Sequence, residues 1–395
     1  MRYALPAVER AMRVQEVMLR AMSGELSWLK AADILGMSPR TMRRWHWRLR
    51  TQGYDGLLDR RRGLPSPRRA PVKELQRILR LYRDKYSGFN VRHFHDTLVR
   101  DHGVTLSYSF VKQALQQAGL VRKRRPRGRH FRRRPPRPCF GEMLHLDGSE
   151  HAWLPGDPSS RPTLVAVLDD ATSRLLYAQL FPGESTRAVM TALRSVFQAH
   201  GLPMALYTDR AGWAAHTPKT GGPVDKSKLT QVGRALKRLG VEHILAYSPQ
   251  ARGRGERLNA TLQDRLVNEL RVARLRIPEA ANRYLRERFI PHFNERFARS
   301  PADPASAFVP LGTTDLDQIL CHEEQRTVSK DNTVVLHHLR LQLEKIPGRR
   351  TCAGLSVLVR RHLDGKHSIW YGGRRLGTYD AQGRPLAPQS QGQAA

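Results

Sequence analysis

Met143-Leu144-His145-Leu146-Asp147 and Ala205-Leu206-Tyr207-Thr208-Asp209 are the two stretches whose reading decides the fold. Each is a short apolar run ending on an aspartate, the pattern of a strand that delivers a carboxylate to the loop at its end. A third acid, Glu256, follows Ser248-Pro249-Gln250-Ala251-Arg252-Gly253-Arg254-Gly255, a turn-rich entry into a helix. Two strand-end aspartates and a helix-borne glutamate can converge from distant parts of a chain onto one point. Carboxylate oxygens suit hard cations such as Mg²⁺. Two such cations about 3.5–4 Å apart activate a nucleophile and stabilise a leaving oxygen in phosphoryl transfer. Taken singly, each acid also reads as an ordinary cap or turn residue.

Outward from these runs, residues 140–301 alternate between strand and helix patterns. Strands are expected over 143–146, 163–168, 175–180, 205–208 and 243–246, and helices over 185–200, 228–239 and 256–268. Three strands, then helix, strand, helix, strand and helix, is the order of an RNase H-like α/β fold. Asp169-Asp170-Ala171-Thr172-Ser173 reads as a hairpin turn, because Asp and Ser side chains bond nearby backbone. Asp169 and Asp170 are therefore set aside as metal ligands. A Gly/Pro/Lys-rich stretch over 216–229 lengthens the interval between Asp209 and Glu256 to about 47 residues. Glu242, the nearest upstream rival of Glu256, lies beside a strand expected to be buried.

Residues 8–59 read as a helix-turn-helix unit. Val8, Met12, Met18 and Met22 give the first helix its apolar spacing, and the second, over 28–35, ends at Gly36, suited to a left-handed turn. Ser38-Pro39 supplies a cap and a first-turn proline for a third helix. Ala32, Met42 and Trp45 fall at core positions, leaving Arg40, Thr41, Arg43, Arg44 and Trp47 to face outward, the first four well placed for DNA. A proline-punctuated basic linker carries Pro65, Pro67, Arg68, Arg69 and Pro71. Helices over 91–102 and 107–118 follow a first segment with Leu75, Ile78, Leu79 and Tyr82, either a second helix-turn-helix or a helical spacer. The run from Arg122 to Arg137, which includes Arg124, Arg125, Arg132, Arg133 and Arg134, is too charged to pack and reads as a linker that tracks DNA backbone. Near the C-terminus come strand-like runs over 334–339, 356–361 and 368–371, with a hairpin signal at Asp364-Gly365.

The 395 residues carry 68 Lys and Arg against 35 Asp and Glu, a formal net charge of +33. The length suggests two to four domains. Such an excess of cations calls for a polyanionic partner, bound with a steep salt dependence. No apolar run approaches the length of a spanning helix, and the N-terminus lacks an apolar signal core. Cys139, Cys321 and Cys352 are widely spaced, which suits a reducing cytoplasm and argues against a zinc module.

The order strand-Asp, strand-Asp, helix-Glu, together with His145-Leu146-Asp147-Gly148, Leu168-Asp169-Asp170-Ala171-Thr172-Ser173-Arg174, Tyr207-Thr208-Asp209 and Ser248-Pro249-Gln250-Ala251-Arg252-Gly253, resembles the DDE (retroviral-integrase-like) insertion-sequence transposases. The likeness is greatest to the ISNCY type and spans most of the chain. One departure is Arg210-Ala211-Gly212, where many relatives follow the second aspartate with Asn-Gly. The resemblance implies a multidomain protein: a helix-turn-helix domain over 1–62, a second helical domain over 72–121, a basic linker over 122–138, an RNase H-like core over 139–301 and a DNA-binding β-barrel over 326–382. It implies two Mg²⁺ or Mn²⁺ ions held by Asp147, Asp209 and Glu256, with Asp147 bridging them. Arg252, Arg254, Arg257, Asn259 and Gln263 would contact DNA beside the cut. The expected partners are double-stranded DNA, both the element's terminal inverted repeats and its target, and further copies of the chain on that DNA. The expected setting is the bacterial cytoplasm, at the nucleoid, with no membrane partner. A catalytically inactive or hydrolysis-only DNA-binding derivative is the alternative.

Overall fold

The computed structural model describes residues 5–58, 70–122, 135–156, 159–217, 224–225, 227–246, 253–345 and 349–386. The chain divides into two compact units, Met1–Arg77 and Ile78–Ala395.

The first unit holds α1 (Leu5–Met22), α2 (Trp28–Ile34), α3 (Pro39–Gln52) and a 3₁₀ turn (Gly53–Leu57). Ser27 caps α2 by accepting the Lys30 N–H, and Ser38 caps α3 by accepting the Thr41 N–H at 3.2 Å, ahead of Pro39 in the first turn. Between them Gly36 takes φ +61°, a left-handed conformation that would strain most other residues. The core of this unit is Ala11, Val14, Val17, Met18 and Ala21 against Ala31, Ala32, Met42, Leu57 and Leu58. That corrects the stripe expected for α1, because Met12 and Met22 are 58% and 48% exposed. Both stripes have helical spacing; the one that packs is lined by alanines, which let neighbouring helices approach closely.

α4 (Val72–Asp84) crosses the division between the units. α5 (Val91–His102) follows with the expected limits and α6 (Tyr108–Gln117) falls one residue short of them at each end, each started by a side-chain cap, Asn90 and Ser107. Ile78, Tyr82, Phe94, Leu98, Val111 and Leu115 form their shared core.

The catalytic-type core runs through β1 (Cys139–Phe140), β2 (Met143–Glu150), β3 (Thr163–Asp169), β4 (Leu175–Phe181), α7 (Thr186–His200), β5 (Ala205–Thr208), α8 (Gln231–Leu239), β6 (Glu242–Leu245), α9 (Gly253–Val272), α10 (Pro278–Tyr284), a π-helical turn (Leu285–Phe289) and α11 (Ile290–Phe297). The five-stranded sheet has the order β4-β3-β2-β5-β6. β4, β3 and β2 are antiparallel neighbours, whereas β2, β5 and β6 run parallel. This is the RNase H-like, integrase-like arrangement. Leu144, Leu146, Val165, Val167 and Leu206 pack on one face against α7 and α8. Leu164, Ala166, Leu168 and Leu175 pack on the other against Leu258, Leu262, Leu266 and Leu270 of α9.

α9 is held along its second half by α5. His93 Nε2 bonds Glu269 at 2.8 Å, Tyr284 donates to the other Glu269 oxygen, Asn90 donates to Asp264, and Arg265 pairs with Asp96. Burial alone would raise the Glu269 carboxyl, but the His93 and Tyr284 bonds outweigh it and hold it below its ordinary value.

β7 (Asp303–Ser306) pairs in parallel with β1. Beyond it come β8 (His322–Thr327), β9 (Thr333–Leu336), β10 (Leu339–Gln342), β11 (Ser356–Arg361), β12 (His367–Tyr371) and β13 (Arg374–Tyr379). They form a four-stranded sheet, β13-β12-β11-β8, and a β9–β10 hairpin that share one core. Among the described residues the sheet does not close into the expected barrel. The strand expected over 334–339 is interrupted at His337, φ +51°, where the chain turns back on itself. Asp364-Gly365 does lie in a hairpin, closed by the His362 N–H to the Lys366 carbonyl. Arg234 of α8 and Arg360 of β11 converge on Glu323, tying this sheet to the core.

Candidate active site

Asp147 was expected where a strand meets a loop; it lies inside β2, which continues to Glu150. The reason is its neighbour on one side. β3 pairs with β2 from Leu144 through Glu150, placing Ala166 opposite Asp147. On the other side β5 stops at Thr208. The parallel register sets His145 beside Tyr207, two residues before Asp147 in one strand and before Asp209 in the other segment. The His145 and Tyr207 rings are 5.1 Å apart on that face. Alternation along each strand then puts both aspartates on the same face, the one covered by α9, and both are half-buried.

α9 meets Asp147 through its first turns. Gly255 is buried against the carboxylate, so that a Cβ there would lie 3.2 Å from Asp147 Oδ2. One turn on, Asn259 donates its amide N–H to the same oxygen at 2.8 Å. A helix start favours negative charge beside it. Gln263, a further turn along, donates to the Ser149 hydroxyl at 3.2 Å. Asp209 begins a turn by accepting the Ala211 N–H at 3.0 Å. Thr208 donates its hydroxyl to the Asp209 carbonyl and also meets His243 Nε2, each at 2.9 Å. Burial pushes the His243 imidazole down to a pKa of about 4.

Asp147 and Asp209 lie two residues beyond the last paired positions of β2 and β5, and Glu256 is exposed near the start of α9. Among the described residues no three His, Cys, Asp or Glu side chains converge as a ready metal site. Yet the oxygens present suit a hard divalent cation: two carboxylates on one face, and beside them Asn259 Oδ1, buried with no hydrogen-bond partner. Asn259 and Gln263, expected as DNA contacts, turn toward β2 in this structure. Arg257 is exposed, and the side chain of Arg254 lies outside the described residues, as do Arg252, Arg124, Arg125, Arg132, Arg133 and Arg134. On α3, Arg40, Arg43 and Arg44 are exposed, whereas Thr41 is half-buried with its hydroxyl 2.9 Å from Ser38.

Sequence reasoning missed Glu184. Its Oε1 accepts the Trp213 indole N–H at 2.7 Å, and a Cβ on Gly148 would come within 2.7 Å of its carboxyl carbon. The Glu184 carboxylate thus packs close over the glycine next to Asp147. Asp169 and Asp170, set aside as turn residues, are wholly buried. Asp169 accepts the Gly141 and Thr172 N–H groups and the Thr172 hydroxyl; Asp170 accepts the Arg137 N–H and bonds His145.

Residues 15–65 match a helix-turn-helix domain family and residues 41–115 a homeodomain-like domain family. The chain is 32% identical over 374 residues to a Sinorhizobium fredii protein named transposase y4bF, covering 93% of this chain and 80% of that one. It is 27% identical to the transposase for insertion sequence IS1202 of Streptococcus pneumoniae, covering 81% and 74% of the two chains. Among solved structures it resembles the simian T-cell lymphotropic virus intasome in complex with PP2A regulatory subunit B56 gamma, at 14% identity and a TM-score of 0.33, over 79% of this chain and 100% of that one. It also resembles the HTLV-2 integrase catalytic core domain in complex with magnesium, at 12% identity and a TM-score of 0.28, over 37% and 86%.

Proposed function

The chain belongs to the insertion-sequence transposases of the DDE type, and from that premise we propose that it binds the ends of its own element, cleaves them by metal-dependent phosphodiester hydrolysis and joins the 3′-OH ends to target DNA. The observation that carries the reading is the parallel β2–β5 register, His145 beside Tyr207, which is followed two residues on by Asp147 in one strand and Asp209 after the other, with α9 bonded to Asp147 through Asn259. These two acids hold Mg²⁺ or Mn²⁺, with Glu256 joining them from the exposed start of α9. Two such ions, when bound, activate the attacking oxygen and steady the leaving one.

The chain's own residues supply the rest. Asn259 fixes the orientation of Asp147 through one carboxylate oxygen, and Gly255 leaves that side free of a side chain. Ser149 and Gln263 pin β2 to α9 beyond the acid. Arg40, Arg43 and Arg44 present an exposed cationic face to the element ends, and the basic linker and Arg257 grip phosphates. Phosphate contacts position a duplex while base contacts select it. The active assembly holds more than one copy of the chain on DNA, and it works in the bacterial cytoplasm. No helix among the described residues is long and apolar enough to cross a membrane.

The test is an assay that resolves end cleavage from strand joining, run with Mg²⁺, with Mn²⁺ and with neither. Metal-dependent cleavage followed by joining is expected. Cleavage without joining would reduce the protein to a nuclease, and end binding without cleavage would make it a regulator.

A further inference from the structure

We propose that His243, acting through the Thr208 hydroxyl, is a positioning residue for Asp209, holding the backbone from which the second carboxylate reaches the metal. The inference rests on the reading of Asp209 as a metal ligand and adds residues that reading does not contain.

Thr208 is the last residue of β5 and is 1% exposed. A hydroxyl carries one proton, and here it is given to the Asp209 carbonyl. Toward His243 Nε2 the same oxygen can only accept, so the imidazole carries its proton on Nε2. A directional chain results, from imidazole N–H to hydroxyl to the Asp209 carbonyl. The Asp209 side chain is held separately, by the Ala211 N–H. Beyond these, the end of β5 is fixed by the Ala246 N–H to the Thr208 carbonyl. The peptide after Asp209 thus receives a side-chain bond from its neighbour, just beyond the last sheet bond of β5.

An apolar residue at 243 would fill the β6 position without taking an imidazole out of water. Burying a polar group is unfavourable unless it is hydrogen-bonded, and the bond His243 makes here leads to the residue before the acid. His243 is half-buried in β6, with its Nε2 turned to the Thr208 hydroxyl.

Four variants test this in the full chain with Mn²⁺ alone as the probe. Thr208→Ser and His243→Gln keep a donor; Thr208→Val and His243→Leu remove it with little change of shape. Titration calorimetry is expected to show Mn²⁺ affinity within about twofold of the parent for the first pair. The second pair should bind Mn²⁺ about tenfold more weakly, the weight of one directional hydrogen bond. Binding to end DNA without metal stays at the parent level in all four. Should Thr208→Val lose its fold, judged by its melting transition, His243→Leu against His243→Gln decides alone. Parent-like Mn²⁺ affinity in the donor-less pair overturns the positioning role. Asp209→Asn distinguishes the two layers: if it too binds Mn²⁺ as the parent does, the ligand assignment falls first, and the positioning role falls with it.

Discussion

Asp169 and Asp170 sit where β3 ends, against the start of β2, and Asp147 and Asp209 sit farther along the same sheet, where β5 has stopped. The first pair is wholly buried and saturated with backbone N–H groups, a threonine hydroxyl and a histidine. The second is half-buried, and Asp147 meets the start of α9, where Asn259 donates to it and keeps an orphaned amide oxygen. A carboxylate buried against backbone N–H groups stabilises the fold; a half-buried one at a helix start, beside a glycine, stands where a binding site can be built. The acidic dipeptide Asp169-Asp170 is the more conspicuous in the sequence, and it belongs to the framework.

The sharpest way to break that contrast is to neutralise one member of each pair. Asp147→Asn is expected to lower end cleavage and joining by at least about 10²–10³-fold, in keeping with removal of one preorganised electrostatic group. Its melting temperature and its end binding should stay near the parent's. Cleavage kinetics beside a thermal melt give both readings.

Asp169→Asn should show the reverse. The new amide places an N–H against donors that now meet an anion, so loss of about 2–3 kcal/mol is expected. That corresponds to roughly 5–10 °C in the melting of the core. Cleavage per folded molecule should be little changed. A stable but inactive Asp169→Asn protein would erase the distinction.

Acid titration sharpens the same idea with a buried base. His243 is held neutral, its pKa pushed down to about 4 from an ordinary 6.5. Between those values the unfolded chain binds a proton that the folded chain does not, so stability falls as pH drops through that window and levels off below it. The full change is on the order of 3 kcal/mol. Urea denaturation at several pH values reads it, and His243→Gln should flatten the curve.

The smallest expected effect lies in recognition. Replacing Arg43 and Arg44 with Ala should weaken binding to the element's own ends by about tenfold over scrambled DNA, since an arginine–guanine contact contributes roughly 1–3 kcal/mol of discrimination. Competition binding at several salt concentrations separates that loss from a general loss of phosphate contacts.

Much of this was legible in the residues. β5, α5 and β11 begin and end where their runs of apolar residues, caps and breakers put them. Local chemistry decides such limits. Asp147 was misplaced at a strand end because the length of β2 is set by β3, a neighbour that no local pattern reveals. The buried stripe of α1 was misjudged for a similar reason: two helical stripes compete, and only packing against α2 and α3 chooses between them. Asp147, Asp209 and Glu256 were singled out by their local contexts, whereas Asn259, Glu184 and the His243–Thr208 link became visible only when distant segments met.

α9 joins two phases of the molecule on a single rod. Its first turns touch Asp147 and Ser149, and its second half engages α5 through Asp264, Arg265 and Glu269. One added residue in an α-helix turns everything beyond it by about 100° and advances it by about 1.5 Å. An insertion between Asn259 and Glu269 would therefore swing one of the two contacts off its partner whatever residue was inserted. Substitution along this helix can be graded, but its length between the two contacts is all-or-none: the register of α9 is a fixed gauge between the acid-bearing sheet and the helical region beside it.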